Sequence, residues 1–456
     1  MALIEFYSST SFISGLPREA FLRLRESIFY YDGAILYKTK NYALARRYLI
    51  EMDGSFPSGL LKRVMAHLDS TRETYQVRDN RYRPRPGYIR FPQLIPEPRA
   101  YIDQQLAVDK CKADPWGHGI VVMPTGVGKS RVIKDTIQQF GVKTLVVPPS
   151  KTLKTQIHDY LTACFGSDMV EMYDKRKGCR KPVTILNIDG FGGIPPEALQ
   201  GVDMVLSDEF HHSGARGYRD TNKTHWDKVF YKFGYTATNF RNDPADQVLL
   251  ESVLSVELFS MTPIQAMEKK YIVPIQPIMQ TVYNHEMKCI SKYADAYDAF
   301  VVENLERNGH VCTFAEKMKN MRIPTLILVK RVEHGRWLQS AIQHSYFLNG
   351  QDEDSHLNMD KVEAFNRLEI PVLIGTSVIG EGVDTKSAGA VILANGEKAR
   401  SRVWQNIGRV VRLFPNKSVG YVFDFADKVS KFMKNHSKER RKIYINDFGR
   451  EPKLLE

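Results

Sequence analysis

Residues 119–135 read GIVVMPTGVGKSRVIKD. The stretch opens with a short apolar run, which predicts a buried strand, and passes through a glycine-rich turn into a segment typical of a helix. The turn closes on Gly128-Lys129-Ser130. Glycines let the backbone wrap an anion with its N–H groups inward, and the start of a helix adds positive potential. The order strand, turn, helix therefore predicts a phosphate site rather than a chance Gly-Lys-Ser turn.

This turn is a variant of the pattern GxxxxGK[ST], because Met123 stands where the pattern has glycine. In such a loop the lysine reaches the β- and γ-phosphates of a nucleotide and the hydroxyl ligates magnesium. We therefore expect ATP and Mg²⁺ as cofactors. The residues expected to contact the nucleotide are Thr125, Gly126, Val127, Gly128, Lys129, Ser130 and Arg131.

A second strand, predicted at 202–206, ends in SDEFHH at 207–212. Asp208 is expected to bind magnesium together with Ser130, and Glu209 to position and polarise the water that attacks the γ-phosphate. Alone, the pair could be a solvated acidic turn. Downstream of a phosphate loop, the hydrolytic interpretation is favoured.

Short apolar runs alternate with helix-like segments from about residue 91 to the end, which indicates parallel sheets flanked by helices. The segment IVPIQP predicts a hinge near residue 275, and the Pro- and Arg-rich stretch before residue 91 predicts a linker. The predicted fold class is α/β, with two tandem parallel-sheet lobes behind a small α/β domain. The predicted domains are 1–90, 91–275 and 276–456.

The series MPTGVGKS, SDEFHH, GYTATNFR, GTSVIGEGVD and QNIGRVVR resembles the motifs of superfamily 2 helicases in their family order, over residues 95–430. DEFH is less usual than DEAH or DECH, but every catalytic group is retained. The resemblance implies two RecA-like lobes with ATP in the cleft between them. It also implies a nucleic acid lying across both lobes and moved by cycles of hydrolysis.

The resemblance also implies roles for individual residues. Gln104 would read adenine, Asp384 would face the ribose, and Gly375 and Thr376 would contact nucleic-acid phosphates. Thr236 and Thr238 would couple the two lobes, with His211 as hydrogen-bond partner. Gln405, Arg409 and Arg412 would act on the nucleotide.

The spacing of the two arginines predicts that both lie on one face of a helix. A positioned arginine that stabilises transition-state charge can be worth about a thousandfold in rate. Without the other motifs, a solvated basic helix would be the simpler interpretation.

Residues 1–90 carry 15 Lys or Arg against 9 Asp or Glu, within a chain of net charge +12. The phrase GSFPSGLLKRV resembles the accessory domain ahead of the motor in phage branch-migration helicases. Phosphate contacts are expected from Lys62, Arg63, Arg81 and Arg83, which would grip duplex without sequence preference. A solvated basic linker is the alternative.

The remaining features concern cellular context. The five cysteines are odd in number and form no CxxC pair, which indicates a reduced, cytoplasmic protein. No apolar run approaches the ~18 residues needed to span a bilayer. The segment KVSKFMKNHSKERRKIY predicts a basic helix that either touches nucleic acid or packs on the second lobe.

Together these features predict an ATP-dependent DNA helicase or translocase, acting as a monomer on duplex and branched DNA such as forks and Holliday junctions. Recombination or replication proteins are expected partners. An RNA helicase and the motor subunit of a restriction system share the motor motifs and stay as alternatives. A catalytically silent nucleic-acid-binding protein is a third, although Lys129, Asp208, Glu209, Arg409 and Arg412 are all present.

Overall fold

The computed structural model describes residues 1–98, 100–191, 193–210, 215–237, 244–283, 290–349, 355–376 and 385–456. Within these ranges, no helix combines the length and apolar character that crossing a bilayer requires. Two parallel sheets of seven strands form RecA-like lobes, and a smaller sheet of mixed direction precedes them. This confirms the predicted α/β fold class.

The N-terminal domain is built on a four-stranded sheet in the order β5-β2-β1-β6, and a separate hairpin pairs β3 with β4. Ile4 and Phe6 alternate inward along the first strand and pack with Leu24 and Leu61 of the helices. The strands are β1 Ala2–Phe6, β2 Thr10–Ser14, β3 Phe29–Tyr31, β4 Arg46–Tyr48, β5 Ser55–Pro57 and β6 Tyr75–Asp79, and the helices are α1 Arg18–Ser27, α2 Gly33–Thr39, α3 Tyr42–Ala45 and α4 Leu61–Ser70.

The first lobe has the strand order β13-β7-β12-β11-β8-β10-β9, all parallel. Its strands are β7 His118–Val122, β8 Thr144–Val147, β9 Val170–Met172, β10 Val183–Ile185, β11 Met204–Asp208, β12 Tyr231–Thr236 and β13 Glu257–Ser260. Its helices are α5 Ile102–Ala113, α6 Lys129–Phe140, α7 Lys151–Phe165, α8 Ala215–Thr224 and α9 Pro244–Leu254. The central strands are buried along their whole length, as expected for a parallel sheet covered by helices.

The second lobe has the strand order β16-β17-β15-β18-β19-β14-β20, also parallel. Its strands are β14 Ile275–Val282, β15 Thr325–Leu328, β16 Ser345–Leu348, β17 Val372–Gly375, β18 Ala390–Ile392, β19 Gly420–Asp427 and β20 Lys453–Leu455. Its helices are α10 Pro263–Glu268, α11 Tyr293–Tyr297, α12 Leu305–Asn320, α13 Val332–Ala341, α14 Ser355–Asn366, α15 Arg400–Gly408 and α16 Lys431–Phe448.

The hydrophobic core of the N-terminal domain includes residues of the first lobe. Val248 and Leu249 of α9, together with Trp116, belong to the cluster that includes Phe6 and Leu61. This close approach requires glycine at position 59, because a Cβ there would lie 2.2 Å from the carbonyl oxygen of Glu251. The short phrase that suggested an accessory domain is therefore a docking segment.

Contacts divide the chain into two compact units rather than three. One unit contains Met1–Met123 and Gly128–Ser260, and the other contains Pro124–Val127 and Met261–Glu456. The domain boundaries at residues 90 and 275 stay a prediction. Residue 90 falls inside the first unit, and the second unit begins again at Met261, before α10.

Candidate active site

The glycine-rich turn joins β7 to α6, as its sequence predicts. Gly126 and Gly128 have φ angles of 94° and 93°, a conformation that strongly favours glycine. Met123 is fully buried and its N–H donates to the carbonyl of Thr236 at 2.9 Å. Met123 is not among the residues of positive φ, so the departure from the glycine pattern falls where the backbone does not need glycine.

The acidic pair lies near this turn. The turn follows β7, the pair ends β11, and a single strand, β12, lies between these two in the sheet. The carboxyl ends of three adjacent strands thus present the turn, Asp208 and Thr236 at one edge, where ligands bind in open α/β sheets. Lys129 forms an ion pair with Glu209. The structure therefore brings together Lys129, Asp208 and Glu209.

Glu209 has a φ of 44°, which is uncommon for a residue with a side chain. Its N–H donates to the Asp208 carboxylate at 3.0 Å, and its own Oε2 accepts from the N–H of Ala237 at 3.3 Å. A strained residue held by several partners is typical of a functional position. Glu209 is thus linked to the phosphate turn on one side and to the end of β12 on the other.

Burial and the neighbouring charge of Glu209 together raise the pKa of Asp208 to about 7, although Lys129 acts in the opposite direction. A bound cation would favour the ionised carboxylate. Ser130 is exposed in the first turn of α6 and supplies a second oxygen donor. Mg²⁺ commonly takes one or two protein oxygens and completes its shell with water and phosphate, so this donor set fits that ion.

Two further residues expected at the nucleotide differ in their placement. Gln104 of α5 is buried against the turn, and its Nε2 lies 2.6 Å from the position of a Cβ on Gly128. Arg131 instead faces carboxylates, at 3.6 Å from Glu97 and 3.3 Å from Asp135. Two protein carboxylates thus compensate the charge of Arg131, and its contact with the nucleotide stays a prediction.

The residues expected to couple the lobes are described only in part. Thr236 is fully buried at the end of β12. His211 and Thr238 lie outside the described residues, as does Asp384, which was expected at the ribose. Gly375 ends β17, and Thr376 is buried immediately after it, with its N–H donating to Leu348 at 3.3 Å.

The arginines of the second unit do not lie on a helix face, so that prediction was wrong. Helix α15 ends at Gly408, and Arg409 and Arg412 occupy the turn that follows. Arg409 is buried, and burial lowers the pKa of Arg412. Gln405 is half-buried in the last turns of α15.

Helix α15 is held by the C-terminal helix, a link that the sequence alone did not reveal. The Asp447 carboxylate accepts from Arg400 Nε at 2.8 Å and from Trp404 Nε1 at 2.7 Å. Further along α16, buried Arg440 lies 2.8 Å from Asp424. Of the two roles predicted for the basic C-terminal segment, packing on the second lobe is the one that the structure supports.

The basic residues of the N-terminal domain are mostly engaged within the protein. Lys62 pairs with Asp114, and Arg63 pairs with Glu251 at 2.6 Å. Arg81 is buried, 2.8 Å from Asp79. These three charges have carboxylate partners in the structure, and their contact with DNA phosphates stays a prediction. Arg83 remains exposed.

Two family models match this chain. The model described as the res subunit of type III restriction enzymes matches residues 97–241, and the helicase conserved C-terminal domain matches residues 297–414. Together these ranges contain Lys129, Asp208 and Glu209 as well as Gln405, Arg409 and Arg412.

Relatives and solved structures are similar over most of the chain. "Putative helicase 22" of Sulfolobus islandicus filamentous virus is 22% identical over 71% of this chain and 63% of its own length. "ATP-dependent DNA helicase uvsW" of Enterobacteria phage T4 is 21% identical over 72% of this chain and 68% of its own length.

A solved fragment of the HsdR subunit of a type I restriction enzyme from Vibrio vulnificus superposes with a TM-score of 0.57 at 15% identity, covering 78% of this chain and 67% of that one. That likeness concerns the fold. With its two family domains, its RecA-like lobes and its ordered motifs, the chain belongs to superfamily 2 of the helicases.

Proposed function

We propose that this protein hydrolyses ATP, with Mg²⁺, to move on DNA and remodel branched structures such as forks and Holliday junctions. The observation that carries the proposal is the convergence of Lys129, Asp208 and Glu209 beyond the ends of β7 and β11, the two strands on either side of β12. Recombination or replication proteins are proposed partners of that activity.

The ion pair between Lys129 and Glu209 suggests how phosphate binding prepares hydrolysis. The terminal phosphates of ATP carry more negative charge than one carboxylate, so they would compete for Lys129. Glu209 would then be released to accept a hydrogen bond from the attacking water. Asp208 and Ser130 would hold the magnesium ion, which supplies charge neutralisation at the phosphates.

The link from Glu209 to Ala237 connects the same step to the TAT motif. A change in the position of Glu209 would alter this hydrogen bond and so affect the end of β12, where the coupling motif begins. We propose that Arg409, Arg412 and Gln405 complete the charge stabilisation, and that Gln104 contributes to adenine recognition. Thr376 and Gly375 stay proposed contacts to nucleic-acid phosphates.

One observation favours DNA over RNA, namely the folded domain that precedes the first lobe. The comparisons do not favour either polymer, since a relative named as a DNA helicase matches 72% of this chain and one named "Putative ATP-dependent RNA helicase L396" matches 75%. The match spans 63% of the length of the first viral relative, so the activity of a whole relative comes to this chain only as a proposal. An RNA helicase and a restriction motor are the competing assignments.

The test is the rate of ATP hydrolysis without nucleic acid and with single-stranded DNA, duplex DNA, forked DNA or RNA, at two salt concentrations and with EDTA. We expect the strongest stimulation by forked or duplex DNA, a decline with salt as phosphate contacts are screened, and loss of activity with EDTA. Preference for RNA would reassign the substrate. Absence of hydrolysis with every polymer would favour a silent binding protein.

A further inference from the structure

A small exposed projection in the N-terminal domain lies between β3 and β4. We call residues 32–45, which contain α2 and α3, the tyrosine finger. Helix α2 contains no buried residue. Tyr37 is 78% exposed, Tyr42 62% and Leu44 57%, so three large apolar side chains stand in solvent within eight residues. Such clustering differs from single exposed apolar residues, which are common on any surface.

The finger, together with β4 that follows it, carries an excess of positive charge. Residues 33–48 contain Lys38, Lys40, Arg46 and Arg47 and no Asp or Glu. Asp32, immediately before them, caps α2 by accepting from the N–H groups of Ala34 and Ile35 at 3.0 and 3.2 Å. The Lys40 ammonium lies 4.8 Å from the centre of the Tyr37 ring. Aromatic faces and positive charge are therefore combined on one surface.

The finger is ordered by its own hydrogen bonds. Asn41 caps α3 by accepting from Ala43 and Leu44 at 2.9 and 3.2 Å, and Thr39 donates to Ile35 at 2.8 Å. The Tyr42 ring packs edge-on against Tyr31 of β3, with centroids 5.2 Å apart. Because the helix caps and the Tyr42 ring are ordered before any ligand binds, less conformational entropy would be lost on binding than by an unstructured loop.

The base of the finger is fixed to the first lobe. Strand β3 packs against α9, and the Arg219 guanidinium of α8 lies 5.9 Å from the centre of the Tyr30 ring. The Arg46 guanidinium covers Phe29 at 3.9 Å and closes the hairpin. The finger is thus carried by the unit that contains Lys129 and Glu209, and a strand held by it would be anchored to the motor.

We propose that the tyrosine finger binds unpaired bases of nucleic acid, with Tyr37 and Tyr42 as stacking platforms and Lys38 and Lys40 as phosphate contacts. Every base has a flat face that stacks on an aromatic ring, and lysines compensate the adjacent backbone. In duplex those faces are covered by neighbouring base pairs. This inference rests on the proposed function, because single-stranded arms are what a branched substrate supplies.

The experiment compares binding of two fluorescein-labelled probes by anisotropy, a forked DNA with two unpaired arms and a blunt duplex of equal paired length. The variants are Tyr37→Ala/Tyr42→Ala and Tyr37→Phe/Tyr42→Phe. Tyr82→Ala is the matched control, since Tyr82 is 82% exposed and lies outside the finger. Thermal midpoints and ATP hydrolysis without nucleic acid should match wild type for all three variants.

We expect the double alanine variant to lose about tenfold or more in affinity for the fork and less than about twofold for the blunt duplex, since stacking on one base is worth roughly that factor. The phenylalanine variant and Tyr82→Ala should bind like wild type. Unchanged fork affinity in the alanine variant, or equal loss on both probes, would overturn the proposal. If wild type bound neither probe and its ATPase ignored DNA, the proposed function itself would fail.

Discussion

Glu209 shows at the scale of one residue how the candidate site is assembled. Its left-handed backbone costs about 1 kcal/mol relative to a glycine at the same position. The conformation is held by the ion pair with Lys129 and by hydrogen bonds involving Asp208 and Ala237. With this backbone conformation, the Glu209 carboxylate lies beside Lys129 of the phosphate turn, where a water-positioning group is needed.

Arg63 illustrates the opposite case, a charge that has a structural role. We expect Arg63→Ala to lower the stability of the protein by about 1–3 kcal/mol, because it leaves the largely buried Glu251 carboxylate without its partner. Affinity for blunt duplex DNA should change by less than about twofold. Thermal unfolding and anisotropy measure the two effects.

Arg83→Ala is the matched control, because Arg83 is exposed and was assigned to the same DNA grip. It should leave the thermal midpoint unchanged. A large loss of DNA affinity in Arg63→Ala with an unchanged midpoint would contradict the structural role and restore the original assignment.

The roles of some residues could be predicted from their neighbours in the sequence, and the roles of others could not. Gly126, Gly128 and Lys129 follow from a turn whose conformational demands are contained in neighbouring residues. The partner of Arg63 lies 188 residues away, so no local pattern could identify it. Sequence patterns therefore predicted a phosphate contact for Arg63 and could not predict its ion pair with Glu251.

At the scale of elements, α15 is placed by α16 rather than by its own sequence. Asp447 accepts hydrogen bonds from Arg400 and Trp404 on successive turns of α15. The helix then ends at Gly408, directly before Arg409. A displacement of α15 would move the turn that carries both arginines.

We therefore expect Asp447→Ala to reduce kcat for ATP hydrolysis by about three- to thirtyfold while nucleotide affinity stays close to wild type. Loss of positioning acts on the transition state more than on binding. Steady-state kinetics and titration with a fluorescent nucleotide separate the two quantities.

Glu439→Gln is the control on the same helix, since Glu439 forms only an exposed pair with Lys442 at 2.8 Å. It should leave kcat and nucleotide affinity unchanged. If Asp447→Ala kept wild-type kcat, the arginine turn would not depend on the contact with α16.

The strands were the elements that the sequence predicted best, because buried parallel strands are short apolar runs bounded by turn residues. The end of α15 was missed. Arg409 and Arg412 are three residues apart in the sequence whether or not the helix continues through them. Their separation in sequence therefore could not show that the helix ends at Gly408.

At the scale of the molecule, each half of the motor is a unit with its own core. The N-terminal domain is continuous with the first unit, since Val248 and Leu249 of α9 pack into the cluster of Phe6 and Leu61. The sequence predicted a small domain ahead of two lobes but not the packing of α9 into that domain. The reason is that the Pro- and Arg-rich stretch before residue 91 has the composition of a linker. In the structure, Arg81 of that stretch is buried between the rings of Phe6 and Phe230.

The central claim is that Lys129, Asp208 and Glu209 form a hydrolytic ATP site. The most direct test is the rate of ATP hydrolysis by Glu209→Gln with saturating forked DNA, measured beside binding of a fluorescent ATP analogue. We predict a rate at least about a hundredfold below wild type with nucleotide binding retained, because the amide cannot act as a base toward water. Hydrolysis at the wild-type rate in Glu209→Gln would contradict the account.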